Sequence, residues 1–578
     1  MKLRSSYDKR PVVKISSSSA DCAVGWAAVL ERLRASKART LCVECYPGAF
    51  VEAMEKAIAG AVRPSRVVRT SECMKTPGEV EAMLAPHLGD DPVFGRMNGV
   101  EIGDFFDPAK VAAARERIAK GQGTPLIIGT GASLLAPGAD ALVYADMARW
   151  EIQTRQRNHE IANWGARNRA ERAALKYKRA YFVDWRAADR LKKRLLPKID
   201  FLLDTNDREN PKLIGGDLFR RSLEATIRRP FRVVPFFDPG PWGGEWMRRH
   251  FDLPKDPPNY AWCFDCVPEE NSLLLAFGNV ELEIPSLDLV FAHPWELLGE
   301  AVHGRFGAEF PIRFDMLDTM EGGNLSLQVH PLTEYIQDKF GMHYTQDESY
   351  YLLDAGEGAM VYLGLKESVN PRKMWQTLER AEQAGPPFPA QRFVNRWPVK
   401  KHDHLSIPAG TIHCSGKDCM VLEISATPYI FTFKLWDWGR LGLDGEPRPI
   451  HLEHGRENIQ WGRTTEWVRR NLVKRREVIA SGDAWREERT GLDEREFIET
   501  RRHWFTGKVE HDTRGGVNVL NLVEGPEIVV ESPAGAFDPF TVHYAETFIV
   551  PAAVGCYTIR PTQAGRCATI KAYVRTNP

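Results

Sequence analysis

Three short apolar segments between residues 324 and 440 each carry one or two side chains that can bind a metal ion. They are residues 325–331 (LSLQVHP), 346–353 (QDESYYLL) and 407–413 (IPAGTIH). In a β-strand, side chains two residues apart point to the same face, so Gln328 and His330 project together. With Glu348 and His413 they make a set of nitrogen and oxygen donors that suits zinc or a similar divalent ion. The pattern therefore predicts strands that converge on one metal site.

The turn Pro-x-Gly-x-x-His at residues 408–413 is stronger evidence than the separate histidines. A single histidine in a strand is usually a core or surface residue, and Gln-x-His alone is weak evidence. The turn recurs in metal-binding cupins, and Gly410 permits backbone geometry closed to larger residues. A competing pair, His402 and His404, lies beside three charged residues, Lys400, Lys401 and Asp403. We expect that pair on an exposed strand edge.

Length and composition bound the class of protein. At 578 residues the chain is too long for one hydrophobic core, so we expect roughly two to four domains. Its 43% hydrophobic and 27% charged residues are ordinary for a soluble globular protein. Lys+Arg and Asp+Glu both number 77, so no net charge attracts nucleic acid or an anionic membrane. The sequence has no uninterrupted apolar stretch of about 18 residues, so it predicts no membrane span.

The N-terminus and the cysteines indicate a cytoplasmic protein. Residues 1–14 are polar and basic, with no apolar segment behind them, so no secretory signal is visible. Two pairs among the 10 cysteines have C-x-x-C spacing, Cys42/Cys45 and Cys263/Cys266. A four-cysteine zinc site usually brings its two pairs within a few tens of residues, and these pairs lie far apart. We predict buried free thiols in a reducing cytoplasm.

Strand and helix patterns divide the chain into three predicted domains. Residues 1–230 alternate strands with helices, which predicts a parallel α/β sheet. Residues 231–460 carry short strands separated by Pro, Gly and Asn, which is typical of a sandwich or jelly roll. Residues 461–578 begin with a charged, helical segment at 462–505 and end in short strands of a smaller β-domain. The expected fold class is a multidomain α/β-plus-β protein.

A strand, a small-residue turn and a helix begin the N-terminal domain, where a phosphate-binding loop would lie. The strand covers residues 12–16, and a helix is expected near 24–34. The turn between them reads ISSSSADCAVGW and lacks Gly-Lys-Ser/Thr, so the lysine and the backbone cradle for a phosphate are missing. Further strands are expected at 40–45, 124–129 and 141–145, and helices at 51–61 and 77–84.

This order of features resembles a uridine kinase or phosphoribulokinase domain over roughly residues 11–200. VECYPGAF and a basic helix at 146–158, with Arg149, Arg155 and Arg157, fall where such kinases place a substrate loop and a lid. The resemblance implies a kinase-like fold that has lost its phosphate chemistry. A solvated helix face is the alternative interpretation of the arginines. Residues 159–195 are expected to form a charged helical lid or connector, with nucleic-acid binding as the alternative.

Seven short motifs follow one another between residues 241 and 454. They are PWGGEW, NLSLQVHP, DESYYLL, IPAGTIH, VLEISATPY, LWDWGR and PIHLEH. In this order they resemble the class I mannose-6-phosphate isomerases, which are cupins. The resemblance implies one Zn2+ ion per chain, bound by four residues, Gln328, His330, Glu348 and His413. It also implies that Arg440 is the catalytic arginine and that Ser326 lies near a bound sugar phosphate.

The implied reaction interconverts mannose 6-phosphate and fructose 6-phosphate through an enediolate. A base has to move a proton between two neighbouring carbons. Glu423, His451 and Asp437 are the candidates, and the sequence does not rank them. We predict Glu423 and Arg440 as catalytic residues, with the arginine stabilising a developing oxyanion or holding the phosphate. Asp437 also has a simpler interpretation, as an ion pair that positions Arg440.

Two departures from the family's pattern concern the phosphate. The family usually has lysine two residues before the ligand glutamate and in the strand before Gln-x-His, where this chain has Gln346 and Asp315. Arg313 lies two residues from Asp315, and the predicted substrate contacts are Ser326, Arg313 and Gln346. Two alternatives follow, an isomerase of an unphosphorylated sugar and a non-catalytic regulatory protein that binds a sugar phosphate. We expect neither nucleic acid nor a membrane as partner, and the oligomeric state stays open.

Overall fold

The computed structural model describes residues 5–120, 122–383, 385–491 and 493–576. The chain forms two compact units, one made of Val12–Thr226 and Glu269–His293, the other of the remaining segments. The predicted boundaries at residues 230 and 460 stay a prediction. The first four residues of the predicted N-terminal stretch 1–14, and Leu492 of the predicted helical segment 462–505, lie outside the described residues. Within the described part, no helix is long and apolar enough to cross a bilayer.

The elements are numbered along the chain. The strands are β1 Val12–Lys14, β2 Ala23–Val24, β3 Leu41–Cys45, β4 Arg66–Arg69, β5 Pro125–Gly129, β6 Ala141–Asp146, β7 Phe201–Asp204, β8 Lys212–Gly215, β9 Phe236–Asp238, β10 Trp262–Cys266, β11 Ser272–Phe277, β12 Val280–Pro285, β13 Ile312–Asp318, β14 Leu327–Val329, β15 Glu348–Ala355, β16 Met360–Leu365, β17 Val394–Pro398, β18 His404–Ile407, β19 His413–Ser415, β20 Cys419–Ala426, β21 Phe433–Trp436, β22 Arg476–Gly482, β23 Trp485–Thr490, β24 Ile498–Phe505, β25 Val509–Asp512, β26 Asn518–Glu524, β27 Glu527–Glu531, β28 Phe540–His543, β29 Thr547–Val550, β30 Cys556–Pro561 and β31 Cys567–Val574. The α-helices are α1 Gly25–Ala35, α2 Val51–Val62, α3 Pro77–Leu88, α4 Pro108–Ala119, α5 Ala132–Leu135, α6 Arg149–Arg157, α7 Ala173–Arg179, α8 Trp185–Leu195, α9 Gly216–Thr226, α10 Trp246–His250, α11 Leu287–Ala292, α12 Pro294–Leu298, α13 Glu300–Phe306, α14 Thr333–Phe340, α15 Pro371–Glu382, α16 Ala390–Phe393, α17 Leu452–Asn458 and α18 Thr465–Asn471.

The unit that contains Val12–Thr226 is built on the predicted parallel sheet. Its seven strands have the order β2-β8-β7-β6-β3-β5-β4, and the five from β7 to β4 are parallel. All residues of β3 and β5 are buried, as expected for strands covered on both faces by helices. Helix α3 begins where the sequence predicts, because Thr76 and Glu79 form a capping box at its first turn.

The strand nearest the N-terminus lies outside that parallel sheet. β1 pairs in parallel with β11, which pairs with β12, so the three strands make a separate sheet. The expectation that the serine-rich turn follows a strand of the parallel sheet is therefore wrong. Strands β11 and β12 also leave the middle sandwich, where the sequence placed them. A short strand pattern predicts extended backbone but does not encode its pairing partner.

Two of the three arginines of helix α6 are buried, so a solvated helix face is wrong for both. Arg155 donates to the carbonyl oxygens of Gly48 and Thr205 at 3.1 and 3.0 Å. Arg149 lies 3.2 Å from the carboxylate of Asp189. Arg157 is exposed. The expected helical segment 159–195 is helical only from residue 173 onward, through α7, a π-helical turn and α8.

The second unit holds two pairs of β-sheets, as its short strand patterns predict. The first pair is a six-stranded sheet, β18-β15-β20-β13-β10-β9, and a five-stranded sheet, β17-β16-β19-β14-β21. Glu348 on β15 contacts His413 on β19, so these two sheets face each other. The second pair is a six-stranded sheet, β22-β23-β24-β31-β26-β29, and a four-stranded sheet, β25-β30-β27-β28. Apolar side chains of both sheets, among them Phe505, Leu520 and Val542, form its core.

Residues 476–505, which the sequence predicts as helix, form three strands of the second sheet pair. Each of β22, β23 and β24 pairs antiparallel with the next. Among the described residues of the predicted segment, only Thr465–Asn471 forms an α-helix. Arg502 on β24 donates to Glu488 on β23 at 2.9 and 2.7 Å. The high charge density of this segment thus reflects cross-strand ion pairs rather than a solvated helix face.

Candidate metal centre

The predicted metal ligands lie on facing strands of the first sheet pair. Gln328 on β14 and His413 on β19 are opposite each other in an antiparallel pair, so their side chains share one face of the sheet. His330 follows β14 directly, and Glu348 opens β15 on the other sheet. The Pro408–Gly410 turn leads into the strand that carries His413. This turn needs glycine, because Gly410 has φ +85° and an added Cβ would lie 2.9 Å from a backbone oxygen.

Three of the four side chains bring their ligand atoms together. The Nε2 atom of His413 lies 2.7 Å from Glu348 Oε1, and the Nε2 atom of His330 lies 3.2 Å from Glu348 Oε2. One ligand atom from each residue lies within 4.8 Å of the others. All three side chains are at most 1% exposed. A buried carboxylate with two imidazoles at these distances is a geometry suited to one divalent ion.

The hydrogen bonds made by the Nδ1 atoms of His330 and His413 leave each Nε2 atom free to offer its lone pair to a metal ion. His413 Nδ1 lies 2.9 Å from the carbonyl oxygen of Thr411, and His330 Nδ1 lies 3.3 Å from that of Phe431. Because each Nδ1–H donates outward, each Nε2 lone pair points toward Glu348. Within the described residues, His330 Nε2 and Glu348 Oε1 have no hydrogen-bond partner. When both imidazoles are neutral, a cation between these atoms satisfies their buried lone pairs, so the residues fit a metal ion.

Gln328 is the fourth predicted ligand and lies beside this group. Its Nε2 atom is 3.2 Å from His413 Nε2. The oxygen and nitrogen of an amide exchange places on a 180° rotation, so the same side chain can present its oxygen to a metal. The assignment of Gln328 as a ligand stays a prediction.

A buried polar group adjoins the metal ligands on the six-stranded sheet. Arg313 Nη2 lies 2.5 Å from Glu423 and 3.1 Å from Asp315. Asp315 and Glu423 are directly opposite on β13 and β20. The Gln346 amide donates to Glu348 at 3.2 Å and to Glu423 at 3.1 Å. One amide therefore connects the metal group to the predicted catalytic carboxylate.

Burial and neighbouring charges set the proton affinities of this group. Burial raises the pKa of Glu423 well above its usual range, and the charges of Asp315 and Glu348 raise it further. Burial also raises the pKa of Asp315 to about 6, although Arg313 opposes this. For Glu348, burial raises the pKa, but His330 and His413 outweigh it and lower the pKa. Glu423 is thus suited to hold a proton and Glu348 to stay charged.

Arg440 and Ser326 belong to a second polar group, at one end of the five-stranded sheet. Arg440 lies 2.6 Å from Asp437, and the hydroxyl of Ser326 donates to the same carboxylate at 2.8 Å. Arg448 also binds Asp437, at 3.0 Å. The interpretation of Asp437 as the residue that positions Arg440 agrees with this geometry. No motif in the sequence pointed to Arg448.

The competing histidines bind other side chains. His404 is buried, with Thr490 and Ser349 hydroxyls 2.9 Å from its two ring nitrogens. The predicted exposed edge is therefore wrong for His404. His402 is half-buried and lies 2.9 Å from the Tyr351 hydroxyl. His451, a candidate base, accepts from the backbone N–H of Lys434 at 3.3 Å.

Tyr350 is a site residue that the sequence analysis missed. Its ring lies 5.8 Å from the His413 ring, and its buried hydroxyl has no hydrogen-bond partner within the described residues. It lies two residues after Glu348 on the same strand, so strand alternation alone would have placed it on the ligand face.

The C-x-x-C cysteines take no part in the metal group. Cys42, Cys45, Cys263 and Cys266 are all buried free thiols, as the sequence predicts. Burial raises the pKa of each of them, so they stay protonated and inert near neutral pH. The cytoplasmic location stays a prediction.

A buried two-histidine, one-carboxylate group between facing sheets defines a candidate metal-binding β-sandwich. Part of the chain is similar to known proteins. Over 233 residues the chain is 27% identical to a mannose-6-phosphate isomerase of Streptococcus mutans, which covers 39% of this chain and 68% of that protein. A probable mannose-6-phosphate isomerase of Bacillus subtilis, GmuF, is 26% identical over 235 residues, 40% of this chain and 69% of that protein. Over about 40% of its length the chain is thus similar to mannose-6-phosphate isomerases, the family that the motifs predict.

Two further comparisons concern the fold and the N-terminal region. The crystal structure of mannose 6-phosphate isomerase from Bacillus subtilis aligns with 60% of this chain and 99% of its own, at 19% identity and a TM-score of 0.49. A family model described as a domain of unknown function, DUF8485, matches residues 25–228. The predicted kinase resemblance of this region has no counterpart in that description.

Proposed function

We propose that this chain is a zinc-dependent aldose–ketose isomerase that interconverts mannose 6-phosphate and fructose 6-phosphate. The observation that carries the proposal is the buried group of His330, Glu348 and His413, whose lone pairs face one point. Gln328 completes the proposed ligand set, with one Zn2+ ion per chain. When bound, this ion supplies Lewis-acid polarisation of a sugar oxygen. Homology to mannose-6-phosphate isomerases supports the substrate class.

Glu423 is the proposed proton-transfer residue. Its carboxylate shares the Gln346 amide with Glu348, which places it next to the ligand group. Burial and the neighbouring carboxylates raise its pKa, which makes its ionised form a stronger base; that form can take up the proton from one carbon and return it to the other as the proton moves between C1 and C2. Arg313 stays charged beside it and stabilises negative charge that develops on the sugar.

Arg440 and Ser326 are proposed to orient the substrate. Asp437 holds the Arg440 guanidinium through two hydrogen bonds of 3.0 and 2.6 Å, so its direction is set before the sugar arrives. An arginine held in this way loses little side-chain freedom when it binds an anionic group. Arg448, bound to the same carboxylate, brings a second positive charge to this end of the sheet.

Removal of the metal is expected to abolish isomerisation, and zinc is expected to restore it. The reason is that the three inward-facing donors have no other cation to hold them in place. Formation of fructose 6-phosphate from mannose 6-phosphate is measured before and after dialysis against a zinc chelator, and the metal content is followed by mass spectrometry. Full activity in protein shown to be free of metal would contradict the proposal.

An isomerase of an unphosphorylated sugar is the second candidate, and one contact favours it. The buried cation Arg313 is already paired with Asp315 and Glu423, so its charge is balanced before any phosphate binds. The same assay with mannose in place of mannose 6-phosphate distinguishes the two candidates. We expect a higher kcat/KM for the phosphorylated sugar, and a clear preference for mannose would establish the second candidate.

We also propose that the N-terminal α/β unit is a kinase-like domain that transfers no phosphate. Its parallel order, β4-β5-β3-β6-β7, supports the first part. Of these five strands, β3 comes first along the chain; it leads through the loop YPGAF into α2, and this loop also lacks Gly-Lys-Ser/Thr. Calorimetric titration of the full chain with ATP and Mg2+ is expected to show no binding heat. Saturable ATP binding would overturn the proposal.

A further inference from the structure

The second sheet pair, formed by strands β22 to β31, contains a large polar cavity. Its volume is about 1150 Å³, and both sheets contribute to its lining. Charged and aromatic side chains dominate the lining, among them Glu487, Arg501, His503, His511, Lys571 and Tyr573. The interior of a β-sandwich is ordinarily apolar, because buried charges without partners are costly. A polar cavity of this size therefore points to a ligand.

Three cations form a row along one wall of the cavity. Arg489 on β23 lies opposite Arg501 on β24, and Arg501 lies opposite Lys571 on β31. Directly opposite side chains have Cβ atoms about 5 Å apart, and like charges in that position repel each other. All three residues line the cavity. Such a row destabilises the sheet unless negative charge balances it.

The protein's own carboxylates form close ion pairs with two of these cations, whereas Glu487 and Asp512 favour the charge of the third, Lys571, without pairing with it. Arg489 lies 2.8 Å from Glu494 and 3.6 Å from Glu499, and Arg501 pairs with Glu499 and Glu487. Within the described residues, the Lys571 side chain has no hydrogen bond or ion pair. It is only 9% exposed, and its ammonium lies 5.5 Å from the centroid of the Tyr573 ring. Burial lowers its pKa to about 8.

Two buried histidines face the same cavity with unused ring nitrogens. The His503 and His511 rings lie 4.6 Å apart, and His503 Nε2 is 3.3 Å from Glu487. Within the described residues, His503 Nδ1 and His511 Nε2 have no hydrogen-bond partner. Burial lowers the pKa of both rings, so both are neutral near pH 7. Neutral imidazoles can exchange hydrogen bonds with the hydroxyl groups of a ligand.

We propose that this cavity is a second ligand site, for a small anionic sugar such as a sugar phosphate or a sugar acid. Lys571 meets the anionic group, and His503 and His511 meet hydroxyl groups. Glu510 and Asp512 at the lining accept from further hydroxyls, and Tyr573 provides an aromatic wall. All of these residues lie between residues 477 and 576, so the proposal does not depend on the isomerase reaction.

Calorimetric titration of the full chain tests the proposal with three probes. Glucose 6-phosphate and gluconate carry the two anionic groups, and glucose is the uncharged comparison. We expect Lys571→Met to weaken the binding of the anionic probe by about 10- to 100-fold, because it removes a charged hydrogen bond. Lys508→Met, a change at an exposed lysine of the same sheet pair, is the matched control and should bind like the wild type. If only glucose 6-phosphate binds, the anionic group is a phosphate; if only gluconate binds, it is a carboxylate. Either outcome supports the site.

The proposal would be overturned if the wild type and Lys571→Met bound both anionic probes with equal affinity. It would also be overturned if the wild type bound glucose as tightly as the anionic probes. A second experiment uses the wild type alone, so its result does not depend on whether the Lys571→Met variant folds. Pyridoxal 5′-phosphate followed by borohydride should label Lys571, as detected by peptide mass spectrometry, and glucose 6-phosphate or gluconate should protect it. Labelling that neither probe reduces would refute the site. Isomerase activity, which Lys571→Met should leave unchanged, separates this outcome from failure of the proposed reaction.

Discussion

Replacing His413 with alanine is expected to remove the metal and to lower isomerase activity by about 10³-fold or more. His413 supplies the shortest contact to Glu348, at 2.7 Å, and its ring is held by the Thr411 carbonyl. Without it, the proposed ligand set keeps one imidazole, one carboxylate and the weak amide ligand Gln328, a set that binds a divalent ion much less tightly. Lewis-acid stabilisation amounts to several kcal/mol, and each 1.36 kcal/mol corresponds to a tenfold change in rate.

The measurement pairs zinc content by mass spectrometry with the rate of mannose 6-phosphate isomerisation. His343→Ala is the matched control, because His343 is an exposed histidine of the same unit. It should keep both zinc and activity. A His413→Ala protein that retains one zinc ion per chain and its full rate would refute the assigned metal centre.

Replacing Arg313 with methionine is expected to destabilise the protein by about 3–5 kcal/mol, the cost of removing one partner from a buried ion pair. Arg313 is 4% exposed, and it is the cation between the carboxylates of Asp315 and Glu423. Without its charge, the directly opposite side chains of Asp315 and Glu423 lose the cation between them, so a negative charge on either becomes more costly to bury. Urea unfolding measures the loss, and Arg372→Met, at an exposed arginine, serves as control.

A compensating variant separates charge from packing in this experiment. Arg313→Met combined with Asp315→Asn and Glu423→Gln removes all three charges while nearly preserving side-chain volume. We expect it to recover a large part of the lost stability, because buried ion pairs can be replaced by neutral groups at little cost. If Arg313→Met alone unfolds at the same urea concentration as the wild type, the buried ion-pair group does not stabilise the fold.

The candidate metal ligands could be proposed from the sequence because each belongs to a short motif with its own local geometry. The alternation of Gln328 and His330 and the Gly410 turn before His413 are properties of a few neighbouring residues. The group around Arg313 was not predictable in this way. Its geometry depends on β13 pairing with β20, which sets Asp315 opposite Glu423, and no local pattern encodes that register.

The charged segment 476–505 also shows that local sequence does not encode strand pairing. Its composition is typical of a solvated helix, but its arginines and glutamates pair across strands β23 and β24. The row of Arg489, Arg501 and Lys571 exists only because three strands align in register. A sequence pattern lists these charges, whereas the register decides that they face one cavity.

By itself, the sequence determined which side chains can bind a metal, where most buried strands lie, and that these strands build an α/β region followed by β-sheets. Only the tertiary structure decided that Val12–Lys14 leaves the parallel sheet, that His404 is buried, and that the Lys571 side chain forms no ion pair with any described residue. The physical reason is that ligand chemistry and strand alternation are local properties of the chain. Pairing partner, register and charge balance depend on which distant strands together bury their apolar faces.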